Sequence, residues 1–254
     1  MQSVTNANQK QGQGETNGLL LDAVGARRSS LVARRLWKRL LHWQYRLFQR
    51  HRYDRLVLER VAGKEFVVLP QVFNPKLFRT GEFMAETIRK QRIPASAAVL
   101  DMGTGTGVGA VFAAESARRV VAVDINPAAA RCARINVLLN GAEERVEVRQ
   151  GDLWEPVEGE RFDVVLFNPP YFRGEPTDAL DHAWRSNNVV ERFAAGLCAH
   201  VKPGGYALVV LSSDGDLAAF LHAFCDNDLR VEIVASRDLR NETLTIYRLS
   251  PETK

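Results

Sequence analysis

A short motif that could do chemistry stands at residues 168–171, Asn-Pro-Pro-Tyr, directly after the apolar run 162–167. Two prolines cannot continue a strand or open a helix interior, so we expect a buried strand that stops at Asn168. Each proline also restricts the residue before it to extended backbone. The predicted result is a stiff elbow, in which the Asn168 side-chain oxygen and the Pro169 carbonyl oxygen face one point as paired acceptors.

Paired acceptors beside the flat face of Tyr171 suit an NH2 group on a planar system, such as a glutamine amide or an adenine amine. The lone pair of such a nitrogen is delocalised, and acceptors on both N–H bonds stabilise the positive charge that develops as the nitrogen attacks an electrophile. Holding the nitrogen in line with that electrophile would add proximity. The alternative interpretation is a rigid turn at the end of a strand, with Tyr171 as a filler of the core.

A glycine-rich stretch, Asp-Met-Gly-Thr-Gly-Thr-Gly at residues 101–107, follows a second apolar run. Glycines between a strand and a helix let the backbone turn sharply and approach a ligand closely. The residues from Gly105 to Ala110 also satisfy the dinucleotide fingerprint, so nicotinamide oxidoreduction is an alternative. Asp101 argues against it, because an acid there would repel a pyrophosphate but would suit a ligand with an ammonium group and a sulfonium.

Two further acids end the next two apolar runs along the chain. Asp124 could accept hydrogen bonds from ribose hydroxyls, and Asp152 could accept one from an adenine amino group. Three acids at three consecutive strand ends describe a cationic nucleoside better than a dianionic one. Asp101 and Asp152 could instead cap the helix or turn that follows each of them.

The elements that must position these residues alternate from about residue 95 onward. Apolar strand patterns alternate with helical patterns, which indicates a mostly parallel sheet with helices on both faces. Only residues 237–242 separate the last two strand patterns, too few for a crossover helix, so these strands should form an antiparallel hairpin at one edge. We therefore expect an α/β fold with a seven-stranded sheet and with ligands at the carboxyl ends of its strands.

Composition divides the chain into three predicted parts. Residues 1–26 are rich in Gln, Asn, Gly and Thr, which predicts a disordered tail. Residues 27–60 hold eleven Lys and Arg against two acids, a net charge of +9, and their leucines recur near helical spacing. They predict a basic helical extension that either packs its apolar stripe on the main domain or binds a polyanion such as RNA. Residues 61–254 form the predicted domain that carries both motifs.

Other classes of site and compartment find little support. No apolar run reaches the length of a membrane span and no signal peptide is recognised, so we expect a cytoplasmic protein without a membrane partner. The cysteines Cys132, Cys198 and Cys225 are too scattered for a disulfide framework or a zinc site. We expect all three to be buried, reduced thiols, and we predict no metal.

The two motifs resemble those of known enzymes. Residues 101–107 meet in full the Asp-x-Gly-x-Gly-x-Gly motif of the class I S-adenosylmethionine (SAM) methyltransferases. Asn-Pro-Pro-Tyr is similar to the motif of methyltransferases that act on planar amines, and residues 65–250 resemble the HemK-type glutamine N5-methyltransferases of peptide release factors. The resemblance implies a Rossmann-like fold, SAM as cofactor and a protein substrate such as a translation factor.

The same motifs are equally similar to those of tRNA adenine-N6 methyltransferases. RNA adenine-N6 or guanine-N2 methylation therefore stays open, as does N-methylation of a small molecule. A binding module for nucleic acid without catalysis is a further alternative, but such a module would predict a degraded SAM motif, and this motif is intact.

The resemblance also implies the roles of individual residues. Catalysis would fall to Asn168, Pro169, Pro170 and Tyr171. Residues 72–88 look like the segment that covers the methionine end of SAM, with Phe73, Pro75 and Thr80 at the matching positions. The implied cofactor-binding residues are Phe73, Thr80, Asp101, Gly103, Thr104, Gly105, Gly107, Asp124, Ile125, Asp152, Leu153 and Asn168.

A polar stretch at residues 172–188 directly follows the elbow and shows little periodicity. Its length suits a lid over the acceptor. His182, Trp184 and Arg185 could contact substrate from it, or could serve ordinary loop packing.

Overall fold

The computed structural model describes residues 55–76, 79–176, 181–239 and 242–252. In chain order its elements are β1 (Val57–Val61), β2 (Lys64–Val68), α1 (Thr80–Lys90), β3 (Ala98–Met102), α2 (Val108–Ala113), β4 (Arg119–Asp124), α3 (Pro127–Leu139), β5 (Val146–Gln150), β6 (Phe162–Phe167), α4 (Val189–His200), β7 (Val201–Ser212), α5 (Leu217–Cys225), β8 (Leu229–Asp238) and β9 (Thr243–Pro251). Short 3₁₀ turns lie at Glu155–Val157 and Asp181–Ala183.

Seven of these strands form one sheet in the order β5-β4-β3-β6-β7-β9-β8. The five strands from β5 to β7 pair in parallel, whereas β9 is antiparallel to both β7 and β8. The prediction of a mostly parallel seven-stranded sheet with a C-terminal antiparallel hairpin is confirmed. The strand order reverses between β3 and β6, which is where such sheets bind ligands.

Both faces of the sheet are buried at its central strands, β3, β6 and β7, as their continuous apolar sequences predict. On one face Val164, Leu166 and Val210 join residues of α1 and α2 in a single apolar cluster. The alternate residues Val165 and Val209 point the opposite way and are also fully buried. The central strands therefore have no solvated face, and only their ends are available to a ligand, whereas the outer strands β5 and β8 keep exposed residues such as Glu147 and Ile233.

Local sequence signals place the helices next to the strand ends. Asn126 begins α3 as its N-cap, because its side-chain oxygen accepts a hydrogen bond of 2.9 Å from the Ala128 amide. Pro127 follows at the first helical position, where a missing amide costs nothing. These two residues fix the helix start immediately after Asp124.

The N-terminal prediction is wrong where it can be compared. Residues 57–60, which are assigned above to the end of a basic helix, lie in β1 of an antiparallel β1–β2 hairpin. The turn is Ala62-Gly63, with φ of 44° and 91°. The predicted tail, residues 1–26, and the predicted helix up to residue 54 lie outside the described residues.

The prediction of three buried thiols holds only for Cys132. Cys198 is exposed and Cys225 is half-buried. Both lie in amphipathic helices, α4 and α5, whose apolar sequence neighbours face the core while the cysteines do not. Across the described ranges, every helix is too short or too polar to cross a bilayer.

Candidate functional site

The register of the sheet brings the two motifs together. Met102 on β3 pairs with Phe167 on β6, so the residues that follow, Gly103 and Asn168, leave the sheet side by side. The Phe167 ring packs within 3.6 Å of the position where a Cβ on Gly103 would lie. The glycine turn and the elbow are therefore neighbours at the carboxyl ends of two central strands.

The glycine turn needs its glycines for two reasons. Gly103, Gly105 and Gly107 have φ of 62°, 57° and 83°, in the left-handed region that other residues rarely adopt. A Cβ on Gly107 would also lie 3.2 Å from the Ala133 backbone on α3. Two backbone hydrogen bonds close the turn. The Thr104 amide donates to the Val123 carbonyl at 2.9 Å, and the Gly107 amide donates to the Thr104 carbonyl at 2.8 Å.

Asp101 holds this turn from below. Its Oδ2 accepts from the Thr104 hydroxyl at 2.5 Å and from the Ala110 amide at 2.8 Å, and the side chain is buried. Burial raises the pKa of the Asp101 carboxyl to about 6, although both hydrogen bonds oppose the shift. This geometry matches the capping alternative, and a contact between Asp101 and a cofactor stays a prediction.

Asp124 links β4 to the turn. One of its oxygens accepts from the Gly105 amide at 2.8 Å and the other from the Asn126 amide at 2.9 Å. Each oxygen keeps a second lone pair, so the carboxylate can still accept from a diol. Burial raises the pKa of Asp124 against those two amide bonds. Ile125 follows with its side chain 45% exposed, an apolar surface next to the acid.

Asp152 lies beyond β5 at the same edge and has a partner that the sequence did not indicate. The Arg192 guanidinium on α4 donates to Asp152 Oδ2 at 2.7 Å. Leu153 is buried and adopts φ of 48°, which is strained for a non-glycine residue. Within the described residues its amide has no hydrogen-bond partner. Asp152 and Leu153 thus offer an acceptor next to a donor.

The elbow carries side-chain hydrogen bonds that the sequence did not reveal. The Tyr171 phenol donates to Asn168 Oδ1 at 2.6 Å, and Asn168 Nδ2 donates to Thr80 Oγ1 at 3.4 Å. Burial and the charge of Glu242 raise the pKa of Tyr171, so the phenol keeps its proton. Pro169 is buried, and Pro170 is half-buried. Tyr171 is therefore more than the flat face that the sequence suggested.

The segment after the elbow folds back on itself and touches Phe73, in the segment 72–88. The Phe172 amide donates a hydrogen bond of 2.9 Å to the Trp184 carbonyl, and the Ser186 amide donates one of 3.0 Å to the Phe172 carbonyl. The Trp184 ring meets the Phe73 ring edge-on, with centroids 5.0 Å apart. The structure thus connects Thr80 to the elbow through Asn168, and Phe73 to the residue after the elbow through Trp184.

A row of stacked rings supports the strand end from α4. Phe167 stacks on Phe193 at 4.3 Å, Phe193 on Trp154 at 5.2 Å, and Trp154 on His200 at 4.5 Å. Gly196 leaves the room for this, because a Cβ there would lie 2.2 Å from Trp154 Nε1. The rings connect the end of β6 to the Asp152 loop through one helix. Nowhere in the described ranges do three or more His, Cys, Asp or Glu side chains gather as a metal site would require.

Residues 63–236 match the family described as the methyltransferase small domain, which is more than half of the chain. The chain belongs to this methyltransferase family. A release factor glutamine methyltransferase of Geobacter sulfurreducens is 33% identical over 168 residues, 60% of this chain and 57% of that protein. A ribosomal RNA small subunit methyltransferase C of Alcanivorax borkumensis is 30% identical over 159 residues, 62% and 45% respectively.

Known structures of methyltransferases share the fold. The Mtq2–Trm112 complex of E. cuniculi, which methylates the eRF1 translation termination factor, superposes with a TM-score of 0.53 at 19% identity. The alignment covers 72% of this methyltransferase and 99% of that chain. This chain spans about half the length of the curated relatives it matches. The resemblance to the release factor enzymes is confirmed at the level of family and fold.

Proposed function

We propose that this methyltransferase transfers a methyl group from SAM to a planar NH2 group, and that its acceptor is a glutamine side-chain amide in a protein. The observation that carries the proposal is the position of Asn168 beside Gly103, where β3 and β6 end together. A donor on the glycine turn and an acceptor on the elbow would then meet at one point. Relatives named as release factor glutamine methyltransferases support the choice of acceptor.

SAM would contribute an activated sulfonium methyl. Residues at the carboxyl ends of the strands suit its ribose, its adenine and its amino acid portion. Asp124 suits the ribose hydroxyls, and the exposed Ile125 suits one face of the adenine. Asp152 and the Leu153 amide match the amino group and the ring nitrogen at the adenine edge. The glycine turn lets the backbone approach the amino acid portion, which Phe73 would cover from the other side.

Asn168 and Pro169 act on the acceptor. Their oxygens would accept both N–H bonds of the incoming amide and stabilise the positive charge that appears on its nitrogen during the transfer. The reaction forms an N–C bond and breaks the S–C bond, and the methylated nitrogen then loses a proton to water. A strong base is unnecessary, because that nitrogen is acidic once it carries the charge.

An RNA base is the second candidate. The relative from Alcanivorax borkumensis is named for ribosomal RNA, and residues 27–60 carry a net charge of +9. Basic segments of this kind bind phosphate backbones electrostatically. An adenine or guanine amine would satisfy the same pair of acceptors at the elbow. A cytoplasmic location, where translation factors and ribosomal RNA occur, belongs to both candidates.

Sorting the methyl label separates the candidates. The protein is incubated with SAM that carries a tritiated methyl group and with a cell lysate, and the label is then measured in protein, RNA and small-molecule fractions. We expect the label in a protein band, with the added methyl group located on a glutamine by mass spectrometry. Label in RNA would transfer the proposal to the second candidate, and label in neither would exclude both.

Asn168→Ala tests the chemistry at the elbow. Loss of one acceptor for the developing charge should lower turnover by about 10²–10³, by analogy with the loss of one oxyanion donor. The affinity for SAM, measured by calorimetry, should change little, because the variant leaves the glycine turn intact. Near-normal turnover in this variant would contradict the role proposed for Asn168.

A further inference from the structure

The side-chain amide of Asn168 is held at both of its ends. Its oxygen accepts from the Tyr171 phenol at 2.6 Å, and its NH2 donates to the Thr80 hydroxyl at 3.4 Å. The three residues come from two separate parts of the chain, with Thr80 at the start of α1 and the other two on the elbow. The contact with Thr80 therefore depends on the folded arrangement and does not follow from the Asn-Pro-Pro-Tyr motif alone.

The orientation of this amide decides what it can do. The oxygen and NH2 ends of an asparagine have nearly the same shape, but only the oxygen can accept a hydrogen bond. If the amide turned over, its N–H donors would face the NH2 group of the methyl acceptor, which also carries N–H donors. A phenol is a better donor than acceptor, because its oxygen lone pair is delocalised into the ring. Tyr171 thus favours the orientation in which the Asn168 oxygen lies on its side.

One lone pair of Asn168 Oδ1 remains for a second donor. An amide oxygen has two acceptor sites, and the Tyr171 phenol occupies one of them. The phenol keeps its proton, since burial raises the pKa of Tyr171. The same oxygen can therefore hold the phenol and an incoming N–H at once, which keeps the amide oriented while substrate binds.

Thr80 contacts the other end of the amide from a well-packed position. It is 1% exposed, and it begins α1 directly after Arg79, whose φ is 56°. The next residue packs tightly, because a Cβ on Gly81 would lie 2.5 Å from the Pro75 Cβ. This packing fixes the helix start, and with it the place of the hydroxyl oxygen that accepts from the Asn168 NH2.

We propose that Tyr171 and Thr80 are positioning residues, which hold the Asn168 amide with its oxygen available to the acceptor nitrogen. This inference rests on the proposed function of the elbow and assigns to Thr80 a role other than cofactor contact. Each residue would act on the methyl transfer only through Asn168.

Single substitutions remove one contact at a time. Tyr171→Phe keeps the ring and Thr80→Val keeps the shape, and each should lower kcat by roughly 3- to 10-fold, as the loss of one hydrogen bond implies. Thr80→Ser restores the hydroxyl and should restore kcat. The rates are measured with tritiated SAM and a purified release factor, and SAM affinity by calorimetry should stay within about 2-fold.

Matched controls come from elsewhere in the same fold. Thr87→Val removes another buried hydroxyl on α1, one that donates to the Phe83 carbonyl at 2.8 Å. Tyr206→Phe removes a phenol from the half-buried ring on β7. Both should leave kcat unchanged, and thermal melting will show whether any variant has lost stability.

The deciding measurement repeats the two substitutions in an Asn168→Ala background. A residue that acts through Asn168 has nothing left to orient there, so Tyr171→Phe and Thr80→Val should no longer change the residual rate. An Asn168→Asp background offers a second measurement, because both carboxylate oxygens accept and orientation loses its meaning.

Two results would overturn the inference. One is an undiminished effect of Tyr171→Phe and Thr80→Val in the Asn168→Ala background, which would mean that they act independently of the amide. The other is weaker SAM binding in Thr80→Val with kcat unchanged, which would make Thr80 a cofactor contact. Failure of the proposed function looks different: either the unaltered protein would not label the release factor, or Asn168→Ala would turn over normally by itself.

Discussion

For Asp101, the partner that the sequence suggests differs from the partners in the structure. It precedes the glycine turn, which suggested a cationic ligand, yet its Oδ2 is occupied by Thr104 and by the Ala110 amide at the start of α2. A buried carboxylate with its own donors supports the turn from inside the protein. Its influence on a cofactor would be the shape of the turn and the negative charge behind it.

The raised pKa of Asp101 makes a prediction about stability and pH. The folded state binds the proton more tightly than the unfolded chain, with a pKa of about 6 against 3.8. Stability should therefore be greatest below pH 4 as far as this group is concerned and fall as pH rises through 6, by about 2–3 kcal/mol. Urea unfolding of Asp101→Asn from pH 4 to 7 should lack this fall.

A control variant removes an acid that has no part in the turn. Glu158→Gln alters an exposed side chain and should reproduce the pH dependence of the unaltered protein. If Asp101→Asn shows the same slope as the unaltered protein, the carboxyl does not hold its proton in the folded state.

Asp124 should act on the cofactor and not on the chemistry. Asp124→Ala removes a charged acceptor from the diol, which should weaken SAM binding by about 10- to 100-fold. Calorimetry with SAM measures the change directly, and kcat at saturating SAM should fall much less. Unchanged affinity would count against the placement of the ribose at the end of β4.

At the scale of elements, the strength of the sequence signal depended on length and on turn chemistry. The bounds of β6 and α3 follow from their sequences, because an apolar run ended by two prolines and a helix begun by Asn-Pro leave little choice. The β1–β2 hairpin was not predicted from the sequence, because its turn is Ala62-Gly63, without the Asn or Asp usual at such a turn. Leucines and arginines before it also fit helical spacing.

Contacts between residues far apart in the sequence could not be predicted, for a different reason. Arg192 reaches Asp152 from α4, and Thr80 reaches Asn168 from α1, across 40 and 88 residues of sequence. No local pattern encodes such a pair, since it depends on how each helix packs on the sheet. The meeting of the two motifs at the ends of β3 and β6 could be predicted from the sequence, but the contacts of their residues with distant parts of the chain could not.

The packing of α2 against α3 depends on one glycine. Gly107→Ala should destabilise the protein by about 2–3 kcal/mol, because its Cβ would be strained at φ of 83° and would press on Ala133. Gly204→Ala is the control: its φ is 78°, but nothing lies within 4 Å of the added Cβ. That variant should lose only the strain, about 1 kcal/mol.

Chemical unfolding compares the two variants. A second substitution, Ala133→Gly, should cost about 1 kcal/mol in the interior of α3. It should cost less in the Gly107→Ala background, because there it also removes one crowded atom, the Ala133 Cβ. Equal losses in both glycine variants would show that the contact with α3 is unimportant.

At the scale of the whole molecule, charge is divided unevenly. Residues 27–60 carry +9 of a total net charge of only +4, so the rest of the chain is acidic on balance. This division bears on the acceptor. A protein acceptor places no demand on the basic block, whereas RNA would use it to neutralise phosphates.

Salt dependence turns this difference into a measurement. With a release factor as acceptor, we expect KM to change little as salt rises. RNA bound through the basic block would instead show a slope of about −0.7 in log affinity per log salt for each phosphate neutralised on a single strand. Replacing Arg34, Arg35, Lys38 and Arg39 by Gln should then flatten that slope.

The comparison needs a variant with the same change of charge elsewhere. Replacing the exposed Lys90, Arg92, Arg118 and Arg131 by Gln removes four positive charges from the main domain. Equal flattening by both variants would point to general charge and not to the basic block. A steep slope that only the first variant removes would favour the RNA candidate.

The place of β9 has a consequence for how the polypeptide is made. This strand lies between β7 and β8 in the sheet, although it follows both of them along the chain. Until residues 243–251 have left the ribosome, β8 has no neighbour to pair with and the apolar edge of β7 is open. A chaperone that shields these edges would have its greatest effect in that interval, and a chain truncated before residue 243 should be sensitive to protease over β8.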